Sequence, residues 1–409
     1  MRGIKLLVIL IVITTLSSCK EENKKMATIT FEQDLTFLKK HTDVVVIKDK
    51  SGNSMVTVIP KFQGRVMTST ADGLKGLSFG WINRELIASG QTVDHMNVYG
   101  GEDRFWIGPE GGQFSIFFKK DVPFDLEHWF TPAPIDTEPF KLVSKFQDRV
   151  LLQKDMTLEN YSGTVFNLRV DREVRILERN DAIEVLGIKP ANAVKIVAFE
   201  TINKMTNTGT QAWQKETGLL SIWILGMLNP SPSTTVVIPF NTGSEDELGS
   251  IVNDAYFGKV PANRLVVKDG VMFFSGDGQY RSKIGLSPHR AKPILGSYDI
   301  ANKVLTIVQY NKPEGINDYV NSMWELQDKP YKGDVVNSYN DGPAEPGAKP
   351  LGPFYELETS SPAAVLKPGQ TLSHIHRTYH MQGSEADLDL VAKATLGVTI
   401  AEIKSAIPK

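Results

Sequence analysis

The chain has a single cysteine in 409 residues, Cys19, which lies at the end of an apolar N-terminal run. One cysteine excludes an internal disulfide and a cysteine-based metal cluster. Arg2 and Lys5 precede the run, which continues to Leu16 and is shorter than the ~20 apolar residues that span a bilayer. Positive residues followed by a short apolar segment are typical of an export signal.

The end of the apolar run predicts how the protein is attached. Leu16-Ser17-Ser18-Cys19 resembles the bacterial lipobox, in which a small residue precedes a cysteine that becomes lipid-modified. We therefore expect a lipoprotein signal over residues 1–19, lipid attachment to the membrane through Cys19 and a polar tether over residues 20–29. Lys20-Glu21-Glu22 either resembles the surface-export signal of Gram-negative lipoproteins or is a solvated linker. The expected location is the outer membrane, on the cell surface or the periplasmic face.

The sequence also lacks an excess of either charge, with 45 basic against 47 acidic residues. Without a basic face, no nucleic-acid partner is expected, whereas near neutrality fits an uncharged ligand such as a carbohydrate. The chain has no phosphate-binding P-loop, no Gly-x-Ser-x-Gly nucleophile turn and no zinc-protease motif. Because Cys19 is used for attachment, a catalytic cysteine is excluded as well.

Alternating and β-branched runs, separated by Gly, Pro, Asn and Asp turns, dominate the chain from residue 43 onward. The predicted strands are 43–48, 54–59, 64–70, 113–119, 140–146, 149–158, 164–177, 182–188, 194–203, 218–227, 234–239, 264–267, 271–275, 303–310, 319–327, 354–360 and 370–380. They do not alternate with long helices, which argues against a parallel α/β fold. We predict a mainly β fold, a large antiparallel sandwich formed by residues 30–409 as a single domain.

Short helices are expected at both ends of this domain. Thr30 and Gln33 have the spacing of a capping box, which predicts an N-terminal helix. C-terminal helices are expected from about residue 383, because Ser384 begins one apolar-periodic segment and Gly397 ends it.

Glycines, acids, aromatic residues and an arginine are dense between residues 97 and 112. Glycines let the backbone approach a ligand closely. Trp106 offers a flat apolar face for a sugar ring, and Arg104 and Glu102 can form charge-assisted hydrogen bonds with hydroxyl groups. We predict these three as substrate-binding residues. The alternative is a tight structural loop in which Arg104 pairs with Glu102 or Asp103.

Two later segments add polar candidates. Lys283 and His289 cluster around a predicted turn, where the lysine can bind substrate and the histidine can act as a general acid near neutral pH. Asn340 and Asp341 begin a Gly- and Pro-rich loop, and such loops often line a site. The alternatives are a solvated basic turn and a purely structural loop.

Glu356 and Glu358 lie two residues apart on a predicted strand, so their side chains share one face. Two carboxylates so placed can act as an acid/base pair, and their repulsion raises the pKa of one of them. An exposed polar face of an antiparallel sheet is the alternative.

His374, His376 and His380 also share one face of a predicted strand. Three histidines can bind zinc and leave a fourth position open. We expect no cofactor, and a zinc site on these histidines or a calcium ion is the alternative.

The chain resembles the galactose-mutarotase-like superfamily of aldose epimerases and sugar-binding relatives, and within it an uncharacterised family of exported bacterial lipoproteins. The residues that carry the resemblance are Gly64-Arg65-Val66, the segment 99–109 with its glycine pair, Phe354-Tyr355-Glu356-Leu357-Glu358, and the turn 366–369. The resemblance implies a large β-supersandwich with a pyranose pocket on the concave face of one sheet.

In that superfamily a glutamate takes a proton from the anomeric hydroxyl and a histidine protonates the ring oxygen. Glu358 or Glu356 matches the base. The stretch similar to the superfamily's histidine segment, 206–213, contains no histidine, so His289 or His376 takes the place of the acid. We therefore expect an exported carbohydrate-handling lipoprotein with epimerase-like chemistry. The alternative is a non-catalytic glycan-binding accessory lipoprotein of a glycan-uptake system.

Overall fold

The computed structural model describes residues 29–408. The expected signal over residues 1–19, its Cys19 and all but the last residue of the expected tether over residues 20–29 lie outside the described residues. Between residues 29 and 408, no helix has the length and apolar character needed to cross a membrane.

Strands dominate the described part of the chain. They are β1 (Val45–Lys48), β2 (Met55–Ile59), β3 (Arg65–Thr70), β4 (Arg104–Gly108), β5 (Lys141–Lys145), β6 (Arg149–Glu159), β7 (Val165–Ile176), β8 (Lys195–Asn207), β9 (Ser221–Leu228), β10 (Thr234–Pro239), β11 (Leu265–Lys268), β12 (Val271–Ser275), β13 (Ser282–Leu286), β14 (Ile294–Asp299), β15 (Val304–Tyr310), β16 (Val336–Asn340), β17 (Tyr355–Ser360) and β18 (Thr371–Gln382). The helices are α1 (Phe31–His41), α2 (Arg84–Ser89), α3 (Ala133–Asp136), α4 (Arg179–Leu186), α5 (Glu245–Leu248), α6 (Glu385–Leu396) and α7 (Ile400–Ala406).

The strands form three antiparallel sheets. A ten-stranded sheet has the order β11-β12-β10-β14-β15-β18-β8-β7-β6-β5, and a five-stranded sheet has the order β13-β16-β17-β9-β4. The three-stranded sheet β1-β2-β3 meets the edge of the five-stranded sheet at the bridge between Val66 and Asp103. The expected mainly β, antiparallel sandwich with short terminal helices is confirmed.

The five-stranded sheet packs one of its faces on the ten-stranded sheet. Leu357 of β17 and Ile284 of β13 pack in one apolar cluster with Val236, Ile238, Leu295 and Val308 from the larger sheet. Phe105 of β4 and Ile222 of β9 join a second cluster with Val170, Val197 and Phe199. This inner face is therefore filled by side chains, and the five-stranded sheet has one outer face left for a site.

The opposite face of the ten-stranded sheet is covered by helices. Apolar residues of α4, α6 and α7 pack on Ile196, Leu305, Ile307 and Met381. The predicted N-terminal and C-terminal helices begin where their caps indicate. Thr30 forms a capping box with Gln33 before α1, and Ser384 caps α6 before Gly397 ends it.

A buried ion pair joins the two layers. Arg172 of β7 donates to Asp103 over 2.5 Å, and both side chains are fully buried. Thr201 of β8 donates to the other carboxylate oxygen of Asp103 over 2.8 Å, so the charge is satisfied on both sides. A buried ion pair is favourable only when its geometry is good. The pair of Arg172 and Asp103 therefore fixes the position of the start of β4 on the ten-stranded sheet.

Three strand predictions were wrong. Residues 182–188 overlap α4, because an apolar stripe at helical spacing was interpreted as a β-branched run. Residues 113–119 and 319–327 form irregular segments rather than strands. Conversely, β4, β13, β14 and β16 are not among the predicted strands. Of these, β4, β13 and β16 are buried along their whole length and so lack the alternation of a half-buried strand.

Candidate functional site

Glu356 and Glu358 lie on the outer face of the five-stranded sheet. Thr359, between Glu358 and the end of β17, points the other way, because its hydroxyl bonds His374 and His376 of the ten-stranded sheet at 2.8 and 2.9 Å. Side chains alternate along a strand, so both glutamates point away from the sandwich interior. The Cα atoms of the two glutamates are about 7 Å apart along the strand.

The strand register brings further polar residues to the same face. Glu358 is opposite Leu225 of β9, and Leu225 is opposite Arg104 of β4. On the other side, Glu358 is opposite Asn337 of β16. Lys283 of β13 is opposite Tyr339, which is opposite Glu356, and its ammonium lies 3.1 Å from Glu358. Residues that are far apart in the sequence are thus brought together by pairing alone.

The surroundings of Glu356 favour its protonated form. Burial raises the pKa of Glu356 from 4.5 to about 8, and the neighbouring Glu358 adds to the rise, while Arg104 and Lys283 oppose it. A guanidinium nitrogen of Arg104 lies 3.9 Å from Oε1 of Glu356, beyond hydrogen-bond distance. The guanidinium of Arg104 also lies 3.9 Å from the ring centroid of Trp106, which holds it in a cation–π contact. Glu356 is therefore equipped as an acid.

Glu358 has a different environment although it is fully buried. Its Oε2 accepts hydrogen bonds from Nε1 of Trp223 at 2.9 Å and from Nζ of Lys283 at 3.1 Å. Burial alone would lower the pKa of Lys283, but the pKa is raised because Glu358, Glu110 and Glu356 favour the ammonium. A carboxylate facing a buried ammonium is a hydrogen-bond acceptor, so Glu358 is equipped as a base.

Glu110 is a third acid beside this pair. It follows β4, and its Oε1 accepts a hydrogen bond from Nε1 of Trp324 at 3.3 Å. Burial raises the pKa of Glu110, and the charge of Lys283 opposes the rise. Glu110 therefore belongs to the same electrostatic group as Lys283 and Glu358.

A hydrogen-bonded network next to Lys283 fixes the side chains around it. Asp334 accepts hydrogen bonds from the hydroxyl of Tyr256 at 2.7 Å and from Asn253 at 2.9 Å. The ring of Tyr256 lies 5.4 Å from the ammonium of Lys283, and the ring of Trp223 lies 4.8 Å from it. The lysine is thus held between two aromatic faces and one carboxylate.

Aromatic side chains cover the outer face. Trp106 packs edge-on against Trp223 at 5.4 Å, and Trp129 stacks on Phe117 at 5.7 Å and on Trp324 at 5.8 Å. Two segments supply the cover, which we call the first cover segment (109–131) and the second cover segment (313–333). The cavity left beneath them, beside Lys283 and Trp223, measures about 20 Å³, which is room for about one water molecule.

Several buried polar atoms of this face have no hydrogen-bond partner within residues 29–408. They are Nε of Arg104, Nε1 of Trp106, Nε1 of Trp129, Oγ of Ser221, Oε1 of Glu356 and Oε1 of Glu358. Leaving a buried polar atom unpaired costs about 1–3 kcal/mol. Such a concentration of unpartnered donors and acceptors on one face makes it the candidate functional site.

Five of the residues predicted from the sequence meet on this face: Arg104, Trp106, Lys283, Glu356 and Glu358. Glu102 does not, although it lies two residues before Arg104. Its carboxylate turns into the sandwich, where Oε2 bonds Ser69 at 2.8 Å and His380 at 2.9 Å. A bend at Glu102 causes this, so Glu102 is corrected to an interior residue.

Asn340 and Asp341 hold loops rather than line the face. Asn340 accepts from the backbone of Gly278 at 2.8 Å, and Asp341 accepts from the hydroxyl of Tyr339 at 2.9 Å and from the backbone of Gly352 at 2.8 Å. We therefore correct their expected direct contact with substrate. Asp341 still acts on the site at a distance, because its charge raises the pKa of Glu356.

The expected acids are not beside the glutamates. His289 lies on an exposed turn after β13, where its backbone carbonyl bonds Asn241. His376 lies between the sheets, on the far side of β17 from Glu358. Because β17 separates His376 from Glu358 and His289 lies on a distant turn, the expectation that either histidine is beside the glutamates is corrected.

The alternative metal site is not formed either. Thr359 bridges His374 and His376, whereas His380 bonds Thr306 and Glu102. Within residues 29–408, no group of three or more His, Cys, Asp or Glu side chains is arranged to hold a metal ion. The shared strand face was inferred correctly, but the three rings have different partners along it.

Sequence reasoning missed Trp223, Glu110, Tyr256, Trp129 and Trp324. Alternation along the predicted strand 218–227 would have marked Trp223, since it shares a face with Leu225. Glu110 belongs to the dense segment 97–112 but was not selected from it. Tyr256, Trp129 and Trp324 lie in irregular segments far apart in the chain, where no local pattern identifies them.

Residues 29–407 match the profile of a family of unknown function (DUF6786). None of the curated proteins is a significant match to the chain. Among solved structures, the chain is similar to the Slr1438 protein from Synechocystis sp. PCC 6803, with 12% identity and a TM-score of 0.48 over 84% of this chain and 96% of that chain. It is also similar to a galactose mutarotase-like protein from Lactobacillus casei ATCC 334, with 8% identity and a TM-score of 0.47 over 83% of this chain and 100% of that chain.

Proposed function

The chain belongs to the family DUF6786, whose function is unknown, and we propose from its own residues that it binds a sugar and acts on it by acid/base chemistry. One observation carries the proposal: two buried glutamates share a face but differ in environment. Burial favours the protonated form of Glu356, and Glu358 accepts hydrogen bonds from Lys283 and Trp223. Paired carboxyl groups with different environments are how enzymes separate the roles of acid and base.

The chemistry that fits this pair is the opening and closing of a pyranose ring. Glu358 takes the proton of the anomeric hydroxyl while the bond between C1 and the ring oxygen breaks. The electron pair of that bond goes to the ring oxygen, which receives the proton of Glu356. Closing the ring on the other face of the carbonyl reverses both proton transfers and restores both glutamates. Glu356 thereby fills the role of the histidine that the superfamily resemblance implies.

The surroundings of the glutamates favour a sugar over other substrates. Trp106 and Trp223 offer flat apolar faces, and the unpartnered indole and guanidinium nitrogens offer donors for hydroxyl groups. Charged partners strengthen such bonds. The motif resemblance to the galactose-mutarotase-like superfamily, carried by Phe354-Tyr355-Glu356-Leu357-Glu358, points to the same class of ligand.

A sugar must first displace the cover. The cavity of about 20 Å³ beside Lys283 is too small for a pyranose. The two cover segments are joined at Glu110 and Ser322, whose backbone N–H and hydroxyl are 3.1 Å apart, and at Gln113 and Gln327. Breaking these hydrogen bonds exposes the outer face of the five-stranded sheet. We therefore propose that the first cover segment separates from the second when substrate enters.

A non-catalytic glycan-binding role is the second candidate. The observation that favours it is that neither His289 nor His376 lies on the glutamate face. In that case Glu356 and Glu358 hold hydroxyl groups without exchanging protons. Binding without anomer exchange would distinguish this role from the enzymatic one.

A thermal-shift screen of the full chain against mono- and oligosaccharides, with and without calcium or zinc, tests sugar binding. A bound sugar should raise the melting temperature, because it stabilises the folded state alone. Arg104→Met should lose the shift, and Arg169→Met, on the exposed surface of β7, should keep it. A sugar that gives a shift is then assayed for anomer exchange by NMR. No shift with any sugar would contradict the proposal.

We also propose that the protein is anchored to the outer membrane through Cys19, on the basis of its lipobox-like sequence. The full-length protein should then partition into the detergent phase of a Triton X-114 extraction, whereas Cys19→Ser should move to the aqueous phase. Ser18→Ala is the matched control and should remain in the detergent phase, because a small residue is kept before the cysteine. Equal partitioning of wild type and Cys19→Ser would refute the anchor.

A further inference from the structure

A second and larger cavity lies at one end of the sandwich, between the two layers. It measures about 240 Å³, and its lining comes from the segment before α2, the end of β9 and the turn between β14 and β15. Tyr355 of β17 lines it, and the adjacent Glu356 points to the opposite face of the strand. The cavity is therefore separate from the glutamate site.

The charged groups in the wall of this cavity already have partners. Asp34 is paired with Arg84 and accepts from the hydroxyl of Ser78. Asp299 accepts from Ser231 at 2.5 Å and from the side-chain amide of Asn302 at 2.6 Å.

His380 at the floor of the cavity is satisfied in the same way. It bonds Glu102 at 2.9 Å and Thr306 at 2.8 Å. An anionic ligand would leave water to face the carboxylates of Asp34 and Asp299, and the one arginine of the lining, Arg84, is already paired with Asp34. The wall therefore disfavours an anion.

Most of the remaining surface of the cavity is apolar and partly flat, although Asn229 and Thr306 also line it. Phe79 stacks on the ring of His380 at 4.3 Å with an angle of 18° between the planes. Leu77, Leu228 and Val304 also contribute to the lining. A cavity of 150 Å³ lined by apolar side chains binds benzene, so one of about 240 Å³ has room for about ten non-hydrogen atoms.

We propose that this cavity is a binding site for a flat, largely apolar molecule of about ten non-hydrogen atoms that carries no negative charge. It is independent of the proposed sugar chemistry, since the two cavities lie on opposite faces of β17 and share no lining residue.

Calorimetric titration of the full chain with indole tests this site, with benzoate as an anionic counterpart that is flat and has the same number of non-hydrogen atoms. Indole should bind saturably with one molecule per chain, and benzoate should bind at least tenfold more weakly. Val304→Phe places a ring in the cavity and should weaken indole binding at least tenfold. Val165→Phe, at an exposed position of β7, is the matched control and should bind indole as the wild type does.

Two results would overturn the proposal. One is the absence of saturable indole binding to the wild type, and the other is unchanged binding in Val304→Phe. If Val304→Phe does not fold, Leu77→Phe fills the cavity from the opposite layer and is judged by the same criterion. Sugar-induced thermal shifts should be the same in these variants as in the wild type, which separates a failure of this site from a failure of the proposed function.

Discussion

Replacing Glu356 by glutamine is expected to abolish anomer exchange and at the same time to stabilise the fold at neutral pH. Glutamine has the shape of the protonated carboxyl but gives up no proton, so the acid is lost. Removal of a positioned acid typically lowers a rate by about 10²–10⁴-fold. NMR measurement of anomer exchange in a sugar identified by the thermal-shift screen gives the rate.

The expected stabilisation follows from the raised pKa of Glu356, which is about 8 in the folded state against an ordinary value of 4.5. Between these two values the folded state keeps a proton that the unfolded chain releases. The stability that Glu356 contributes is therefore complete below pH 4.5 and is lost as the pH rises through 8. Glutamine does not titrate, so at pH 7 the variant should gain roughly 3 kcal/mol in free energy of unfolding.

Glu358→Gln is the matched comparison, because it makes the same chemical change two residues away. It removes the carboxylate that faces the buried ammonium of Lys283. Breaking a buried ion pair by removing one partner costs about 3–5 kcal/mol, so this variant should be destabilised. Urea unfolding of both variants at pH 5 and pH 8 checks the pair of predictions. A Glu356→Gln variant that is less stable than the wild type at pH 8, or fully active, would contradict the assignment of Glu356 as a buried acid.

Mild acid should destabilise the protein through His374 and His376. Burial lowers the pKa of His374 from 6.5 to about 3, and the neighbouring His376 adds to the fall. Burial lowers the pKa of His376 from 6.5 to about 4, where Asp103 opposes the fall and Arg172 reinforces it. Both rings are therefore neutral in the folded state at pH 5.

The sign of the effect follows from which state takes up protons. Below pH 6.5 the unfolded chain protonates both histidines and the folded state protonates neither, so stability is lost as the pH falls from 6.5 toward 4. Each histidine should contribute a loss of about 1.4 kcal/mol per pH unit in this range. At pH 5 the two together should lower the free energy of unfolding by about 4 kcal/mol.

Urea unfolding from pH 7 to pH 4.5 isolates this contribution when variants are compared. His374→Gln and His376→Gln should each reduce the slope of stability against pH by about one proton. His289→Gln is the control and should leave the slope unchanged, because that side chain is exposed to water in the folded state as well. Equal slopes in all four proteins would show that the interior histidines do not decide the acid stability.

Local patterns in the sequence were enough for the class of fold and for the ends of several elements. The capping box at Thr30 and the cap at Ser384 depend on contacts within four residues, and the structure forms both. The alternation of β17 was sufficient to place Glu356 and Glu358 on one face. The glycine-rich segment 97–112 indicated Arg104 and Trp106 as site residues, because its polar and aromatic residues are close along the chain.

The sequence by itself therefore determined that the protein is mainly β, that it has helices at its ends, and that Glu356 and Glu358 point the same way. Only the tertiary structure decided which way. A strand has two equivalent faces, and the pairing of β17 with β9 and β16 assigns one to the core and the other to the site. That pairing separates His376 from Glu358 and joins Lys283 and Trp223 to it. The hydrogen bond between Trp223 and Glu358 joins residues 135 positions apart. No local periodicity in the sequence indicates such a contact.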